Sequence, residues 1–200
     1  MTDSSKLVYL LGTNHQDWSY ETDYVMFITP EIIANQIVHL ADEHFGGLID
    51  KVVWDMFAGI GTDAIRLAKI SGKIICTELN TNTYLNMLKN IETQNVSNID
   101  VINGDCTDHI GKIHANIIYF DPPWGDTFRS GEPFDFRDVI IGGRNVVDLA
   151  LEMQKHGALI IKAPYACDSF EEVFNKDDIL SIFTFSQQKL KYLFVKKSRN

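Results

Sequence analysis

The sequence is poor in the residues that mark disulfide-rich, metal-binding or membrane-embedded proteins. Its three cysteines, Cys76, Cys106 and Cys167, are widely separated, with no Cys-x-x-Cys pair and no histidine at metal-ligand spacing. We expect buried, reduced thiols and no metal site. No apolar run approaches the ~20 residues that cross a bilayer, and the N-terminus lacks a basic segment followed by an apolar one. A soluble, intracellular protein without a membrane partner is the expectation.

Positive charge is also scarce. Lysine and arginine number 18 against 27 aspartates and glutamates, which gives a net charge of -9. Proteins that hold long nucleic acids release counterions from a positive face. We therefore expect no extended nucleic-acid surface, whereas a small nucleotide or a chain end is compatible with this charge.

The 200 residues include 45% hydrophobic side chains, enough for one sizeable core. No repeat, low-complexity tract or Pro/Gly/Ser-rich linker divides them. We expect a single, monomeric domain over residues 1–200. Its first 28 residues, here called the lead segment, are polar and aromatic and are expected to fold over a substrate site.

From residue 29 onward, strand and helix patterns alternate. Thr29, Pro30 and Glu31 suit the N-cap and first turn of a helix. Strands are then predicted at 51–57, 73–78, 99–103, 115–120 and 158–164, and helices at 62–70, 82–94 and 144–155. Such alternation predicts parallel strands joined by right-handed crossovers.

The C-terminal pattern differs, because the apolar runs at 179–185 and 189–197 are separated by three residues. This spacing predicts an antiparallel hairpin. The fold class is therefore α/β: a doubly wound, Rossmann-like, mostly parallel sheet with a C-terminal antiparallel hairpin. Ligands of such folds bind beyond the carboxyl ends of the strands.

Polar residues and glycines stand at the predicted strand ends. Asp55 ends the first strand, Gly59 and Gly61 form the next turn, Glu78 ends the second strand, and Asp105 follows the third. Glycines let a ligand approach the backbone, and an acid at the second strand end can accept from both ribose hydroxyls. The alternatives are an ordinary tight turn for the glycines and a backbone-capping turn residue for Asp105. Together the set favours an adenosine site.

The fourth strand end carries the sequence Asp121-Pro122-Pro123-Trp124. A ring-conjugated exocyclic amine is a poor nucleophile, so its hydrogens must be held while its lone pair faces a methyl donor. The Asp121 carboxylate and the Pro122 carbonyl are suitable acceptors, and the prolines stiffen the turn. Trp124 offers a flat face for a base, although a core anchor is its structural alternative.

These motifs resemble the class I S-adenosylmethionine-dependent methyltransferases. Within that class, "FITPEIIANQI", "WDMFAGIGTDAIRLA", "DPPWGD" and "EPFDFRD" are similar to the trimethylguanosine synthase family, over about residues 24–191. The resemblance implies S-adenosylmethionine as cofactor and transfer to guanine N2 of an N7-methylguanosine RNA cap. N7-methylguanine is cationic, and stacking on an indole favours a cation by about 0.5–2 kcal/mol.

The resemblance and the strand ends together assign roles to named residues. Cofactor contacts are expected from Thr29, Asp55, Gly59, Gly61, Glu78, Asp105 and Cys106. Catalysis and base stacking are expected from Asp121, Pro122 and Trp124, and further substrate contacts from Trp18, Lys162 and Arg137. Lys162 closes the fifth strand and is the favoured phosphate contact. Trp18 has either a stacking role or a packing role against the first predicted helix.

Two other functions stay open. The family commonly has serine where this chain has Asp121, which favours an enzyme acting on adenine N6, or on guanine N2 inside a nucleic acid. A non-catalytic cap-binding or scaffold domain is the other alternative, against which the Asp55, Glu78 and Asp121 set argues.

Overall fold

The structure is a computed structural model that describes residues 4–124 and 135–199. It divides into two compact units, Met1–Gly104 and Asp105–Asn200. A single domain over the whole chain stays a prediction, and the two units are described in turn.

The first unit is a three-stranded parallel sheet with four helices. Its helices are α1 (Ser4–Leu11), α2 (Glu31–His44), α3 (Thr62–Ala68) and α4 (Thr81–Thr93), and its strands are β1 (Val52–Asp55), β2 (Lys73–Glu78) and β3 (Ile99–Asn103). The strand order is β3-β2-β1, with Val53 opposite Ile74 and Cys76 opposite Val101. Helices α3 and α4 pack on β2 and β3. All three strands lie where apolar runs predict them.

The lead segment contains α1, which the sequence analysis did not predict. Leu7, Leu10 and Leu11 from α1 share a buried cluster with Ile60 and Ile65. A helix of eight residues is too short to be stable by itself, so packing against α3 rather than helix propensity holds α1 in place.

The predicted helix start at Thr29 needs a correction. Helix α2 begins at Glu31, with Pro30 in the capping position and no side-chain cap. Thr29 is buried, and its hydroxyl donates to Asp63 Oδ2 at 2.8 Å. Its oxygen therefore links α2 to α3 instead of capping α2.

Over residues 105–124 and 135–199, the second unit contains one α-helix and the remaining strands. They are β4 (Ile117–Phe120), β5 (Ile140–Ile141), β6 (Arg144–Asn145), α5 (Val146–His156), β7 (Ala158–Pro164), β8 (Ile179–Phe185) and β9 (Leu190–Val195). Strands β4 and β7 are parallel, while β9 is antiparallel to both β7 and β8. The mostly parallel sheet with antiparallel C-terminal strands is confirmed.

Two local features of the second unit differ from the sequence prediction. The short antiparallel pair β5–β6 was not predicted, and the helix expected from Arg144 begins at Val146. Asn145 caps it, because its Oδ1 accepts from the backbone N–H of Val147 at 2.9 Å.

The three cysteines are buried thiols, as predicted. Burial, followed by the nearby Asp55 carboxylate, raises the pKa of the Cys76 thiol. A thiol held protonated in this way is a poor nucleophile. Within residues 4–124 and 135–199, no helix has the length and apolar character needed to cross a membrane.

Candidate functional site

In the first unit, the turn after β1 places two glycines in left-handed backbone conformations. Gly59 has φ +57° and Gly61 has φ +85°. A Cβ at Gly61 would lie 2.9 Å from Met87 Cγ, so a side chain there would disturb α4. This glycine turn, residues 58–61, therefore needs glycine for both backbone and packing reasons.

Glu78 is fixed by the backbone around it. The N–H of Gly59 donates to Oε2 at 2.9 Å, and the N–H of Asn80 donates to Oε1 at 2.7 Å. Burial nevertheless raises the pKa of Glu78, since desolvation outweighs these hydrogen bonds. Each oxygen keeps acceptor capacity after one such bond. The carboxylate is thus oriented and able to accept further hydroxyl donors, which fits the ribose of S-adenosylmethionine.

The lead segment covers the glycine turn, which sequence reasoning missed. A Cβ on Gly59 would lie 1.7 Å from the Tyr24 hydroxyl oxygen. Tyr24 belongs to a 3₁₀ turn, Thr22–Phe27, and is half-buried. A spacing between positions 24 and 59 that is conserved among homologues would have indicated this contact. A single sequence carries no such information.

Asp55 lies deep in the first unit. It is 2% exposed, and its Oδ1 accepts from the backbone N–H of Phe57 at 3.4 Å. Its position at the end of β1 is therefore as expected. Thr29, with its hydroxyl on Asp63, sits at the start of α2. Cofactor contacts by Asp55 and Thr29 stay predictions.

In the second unit, Asp105 caps a short 3₁₀ helix, Cys106–His109. Its Oδ1 accepts from both the backbone N–H and the hydroxyl of Thr107, each at 2.8 Å. This is the turn-capping role considered as its alternative. Cys106 is 5% exposed. Their cofactor roles also stay predictions.

The Asp-Pro-Pro-Trp segment directly follows β4. Phe120 pairs with Ile161 of β7, so Asp121 and Lys162 come next along two parallel strands. Lys162 Nζ donates to Asp121 Oδ2 at 2.6 Å and lies 5.8 Å from the centre of the Trp124 ring. The Lys162 side chain is only 5% exposed. The structure thus joins three of the predicted site residues into one cluster.

This geometry gives Lys162 a different partner from the expected phosphate. A buried ammonium needs a counter-charge, and the Asp121 carboxylate supplies it. Pro122 is buried, whereas Asp121 and Trp124 are half-buried. Lys162 therefore holds Asp121 Oδ2, while the Asp121 side chain as a whole is half-buried. A phosphate contact by Lys162 stays a prediction.

Arg137 is paired with acids on both sides. Its Nη2 lies 2.5 Å from Asp135 Oδ2, and its Nη1 lies 3.0 Å from Glu172 Oε2. The hydrogen bond from Arg137 holds the pKa of Asp135 well below its usual range. Substrate contact by Arg137 stays a prediction. The residues between Trp124 and Asp135, including Gly125 and part of "EPFDFRD", lie outside the described residues.

Trp18 packs inside the lead segment. Its side chain is 9% exposed and belongs to the cluster formed by α1, Ile60 and Ile65. The Arg66 guanidinium lies 5.6 Å from the centre of its ring. This arrangement favours the packing alternative for Trp18, and its stacking on a base stays a prediction.

Comparison with known proteins places these features in a family. Residues 50–161, more than half of the chain, match the family described as RNA cap guanine-N2 methyltransferase. An uncharacterized protein of Acanthamoeba polyphaga mimivirus is 28% identical over 157 residues. That match covers 73% of this chain and 58% of the mimivirus protein. The matches to two other curated relatives each cover 36% of the relative's own length. The chain thus spans about half or less of the length of these relatives.

Solved structures agree on the fold. A Porphyromonas gingivalis protein described as a methyltransferase has a TM-score of 0.73 at 16% identity, over 96% of this chain and 47% of its own. An RNA methyltransferase from Salinibacter ruber, in complex with S-adenosyl-L-homocysteine, has a TM-score of 0.55 at 12% identity, over 86% of this chain and 95% of its own. Both likenesses concern the Rossmann-like fold.

The predicted class is confirmed by the family match, since guanine-N2 methyltransferases of this fold use S-adenosylmethionine. The matched residues run from two residues before β1 into β7; they include the glycine turn, Glu78, Asp121 and Trp124, and end one residue before Lys162. The chain belongs to the RNA cap guanine-N2 methyltransferase family.

Proposed function

We propose that the chain transfers a methyl group to the exocyclic N2 of an N7-methylguanosine RNA cap, as in the trimethylguanosine synthases. The observation that carries this proposal is the cluster after β4, in which Lys162 holds Asp121 at 2.6 Å and lies 5.8 Å from the Trp124 ring. It supplies an oriented acceptor and an aromatic face three residues apart in the segment after β4.

The acceptor role follows from the chemistry of the amine. The guanine N2 lone pair is delocalised into the ring, and two hydrogens occupy the directions of its other bonds. Asp121 Oδ1 and the Pro122 carbonyl accept these hydrogens and turn the lone pair towards the methyl donor. Lys162 occupies Oδ2 and stops the carboxylate from rotating. Orientation supplies most of the rate, and a proton leaves nitrogen after the N–C bond has formed.

The first unit supplies the cofactor contacts. Glu78 accepts from the ribose hydroxyls, and the glycine turn, over which the Tyr24 hydroxyl lies, adds its backbone to the site. S-adenosylmethionine, when bound, supplies an electrophilic methyl whose bond to sulfur breaks as the bond to nitrogen forms. No metal or redox step is required for this transfer, because the leaving sulfur keeps the electron pair.

One observation favours a second candidate, methylation of adenine N6. Asp121 stands where the trimethylguanosine synthases commonly have serine, and a carboxylate is a stronger acceptor for amine hydrogens than a hydroxyl. Lys162 offsets the charge of this carboxylate, so the local pair is neutral. Guanine N2 remains the preferred proposal because the matched family carries that description.

A labelled methyl donor separates the candidates. The protein is incubated with labelled S-adenosylmethionine and, in parallel, N7-methylguanosine diphosphate, guanosine diphosphate and adenine-containing oligonucleotides. Label on the methylated nucleotide alone supports the cap proposal. Label on adenine contradicts it, and cofactor binding without transfer to any acceptor indicates a scaffold domain. Asp121→Asn is the control, since it keeps the size of the side chain and removes its charge.

A further inference from the structure

An enzyme acting on RNA needs cations for phosphates, and three candidate cations of the second unit are already paired. Lys162 holds Asp121, Arg137 holds Asp135 and Glu172, and Arg144 forms an ion pair with Glu152. A phosphate contact therefore requires another cation of the described chain.

Arg66 in the first unit is more loosely paired than these three cations, because its ion pair with Glu31 has a distance of 3.8 Å. It is 4% exposed, and its Nη1 donates to the carbonyl of Thr62 at 2.8 Å. Its Nη2 lies 3.8 Å from Glu31 Oε1, which is beyond hydrogen-bond distance. Among residues 4–124 and 135–199, Thr62 is the one hydrogen-bond acceptor recorded for this guanidinium. A buried guanidinium normally satisfies more of its N–H groups.

Arg66 also lines a polar cavity. This Arg66 cavity has a volume of about 150 Å³ and is lined by Leu11, Gly12, Thr13, Asn14, Trp18, Glu31, Ile65, Arg66, Lys69 and Gln94. Its volume equals that of about five waters, since each water in the liquid occupies about 30 Å³. The cavity is therefore large enough for a phosphate group.

Lys69 gives the cavity its second cation. It follows α3 at three residues from Arg66, so both side chains lie on one face of that helix. Lys69 is exposed, and the described residues contain no acid within ion-pair distance of it. Glu31 is the one acid in the lining. Two cations against one carboxylate leave a net positive site in a chain of net charge -9.

We propose that the Arg66 cavity binds a phosphate group of the RNA substrate. Arg66 donates from the buried side, Lys69 donates at the exposed side, and Thr13, Asn14 and Gln94 add neutral donors. The identity of the phosphate as RNA rests on the proposed function. The anion site itself rests on Arg66, Lys69 and the cavity alone.

Lys69→Gln is the main test variant, because an exposed side chain can be changed without opening the core. Its matched control is Lys89→Gln, an exposed lysine of α4 that does not line the cavity. Calorimetric titration with inorganic phosphate should show about tenfold weaker binding for Lys69→Gln and no change for Lys89→Gln. Glu31→Gln should bind phosphate more tightly, because it removes the opposing charge.

Binding of a fluorescent single-stranded RNA, measured by anisotropy from 50 to 300 mM salt, tests the source of the phosphate. Lys69→Gln should reduce the salt-dependence slope by about 0.7, the value expected for one lost contact to a single strand. Weaker phosphate binding with unchanged RNA binding would overturn RNA as the source. Equal phosphate binding by Lys69→Gln and Lys89→Gln would overturn the site. Neither result depends on methyl transfer, so failure here is distinct from failure of the proposed function.

Discussion

Lys162 and Asp121 form an ion pair in which Nζ lies 2.6 Å from Oδ2, and the lysine side chain is almost fully buried. Each residue accounts for the other, since neither charge would be stable alone at this depth. The pair also explains how the chain accommodates an acid where related enzymes commonly have serine. It makes Lys162 a positioning residue rather than a surface cation.

The first prediction concerns this pair. Asp121→Asn and Lys162→Met should each lower kcat for the preferred acceptor, because each removes the orientation of the carboxylate. The double variant should lose less than the sum of the two, with a coupling energy of ~0.5–3 kcal/mol. Purely additive effects would show that the ion pair has no part in turnover. Lys162→Arg, which keeps the charge, should retain more activity than Lys162→Met.

The second prediction distinguishes the half-buried indole of Trp124 from the buried indole of Trp18. Trp124→Ala should weaken binding of N7-methylguanosine diphosphate roughly tenfold, because base stacking on an aromatic side chain is worth about 1–3 kcal/mol. Cofactor affinity should stay the same. Trp18→Phe should instead lower the free energy of unfolding by about 1 kcal/mol and leave acceptor binding unchanged. Equal losses of cofactor and acceptor binding in Trp124→Ala would make Trp124 a core residue.

The third prediction follows from the raised pKa of Glu78. Because burial favours the protonated form, the charged carboxylate costs the free protein stability above its folded pKa, and this cost disappears as the pH falls. Cofactor binding has the opposite requirement, since ribose hydroxyls need a charged acceptor. Affinity for S-adenosylmethionine should therefore fall about tenfold per pH unit below that pKa. Glu78→Gln should bind weakly at every pH, and a persistent pH dependence in this variant would assign it to another group.

The fourth prediction concerns the cover of the glycine turn. Gly59→Ala places a Cβ 1.7 Å from the Tyr24 hydroxyl oxygen and an alanine at φ +57°. The free energy of unfolding should drop by at least ~1 kcal/mol from backbone strain alone, with the steric conflict in addition. Adding Tyr24→Ala should recover the free energy of unfolding that is lost to the steric conflict, whereas the loss from backbone strain should remain. Urea denaturation of the two single variants and the double variant measures both parts.

The fifth prediction concerns a buried cation outside the candidate site. Lys191 Nζ donates to the Cys167 carbonyl at 2.9 Å, to Asp168 at 2.6 Å and to Glu171. Burial lowers the pKa of Lys191, but the bonds to the two acids outweigh it and raise the pKa overall. The stabilisation is thus complete below the ordinary lysine pKa and is lost as the pH rises through the folded value.

Lys191→Met should lower the free energy of unfolding by ~2 kcal/mol at neutral pH, because it leaves Glu171 without its cation. Lys197→Met, an exposed lysine two residues after β9, is the matched control and should be neutral. If the two variants unfold at the same denaturant concentration, the Lys191 cluster contributes no stability.

Strands β4 and β7 were predictable because they are buried and apolar. Strand β7 was predicted with both ends correct, and β4 differs at its start by two residues, since every residue of each is buried. Helix α1 and the β5–β6 pair were not predictable in the same way. Both are short. Contacts with residues distant in sequence determine α1, whereas β5–β6 is a local pair of two-residue strands around Gly142 and Gly143.

The candidate site likewise contains features that the sequence predicts and features that it does not. The positions of Glu78 and Asp121 at strand ends follow from the alternation of strands and helices. The partner of Lys162 does not, because it depends on the pairing of two strands that are 41 residues apart at this point. Arg66 was missed for a similar reason: its burial is a product of packing by the lead segment, and its sequence context is an ordinary amphipathic helix.

The packing of the lead segment on Ile60 and Ile65 also affects how parts of this family can be exchanged. The family match begins at residue 50, whereas the residues that cover the glycine turn lie upstream of it. A chimera that joins residues 50–161 of this chain to the first fifty residues of a relative would combine a turn and a cover that did not evolve together. For recombination, the unit to be exchanged therefore starts at α1, upstream of residue 50, where the family match begins.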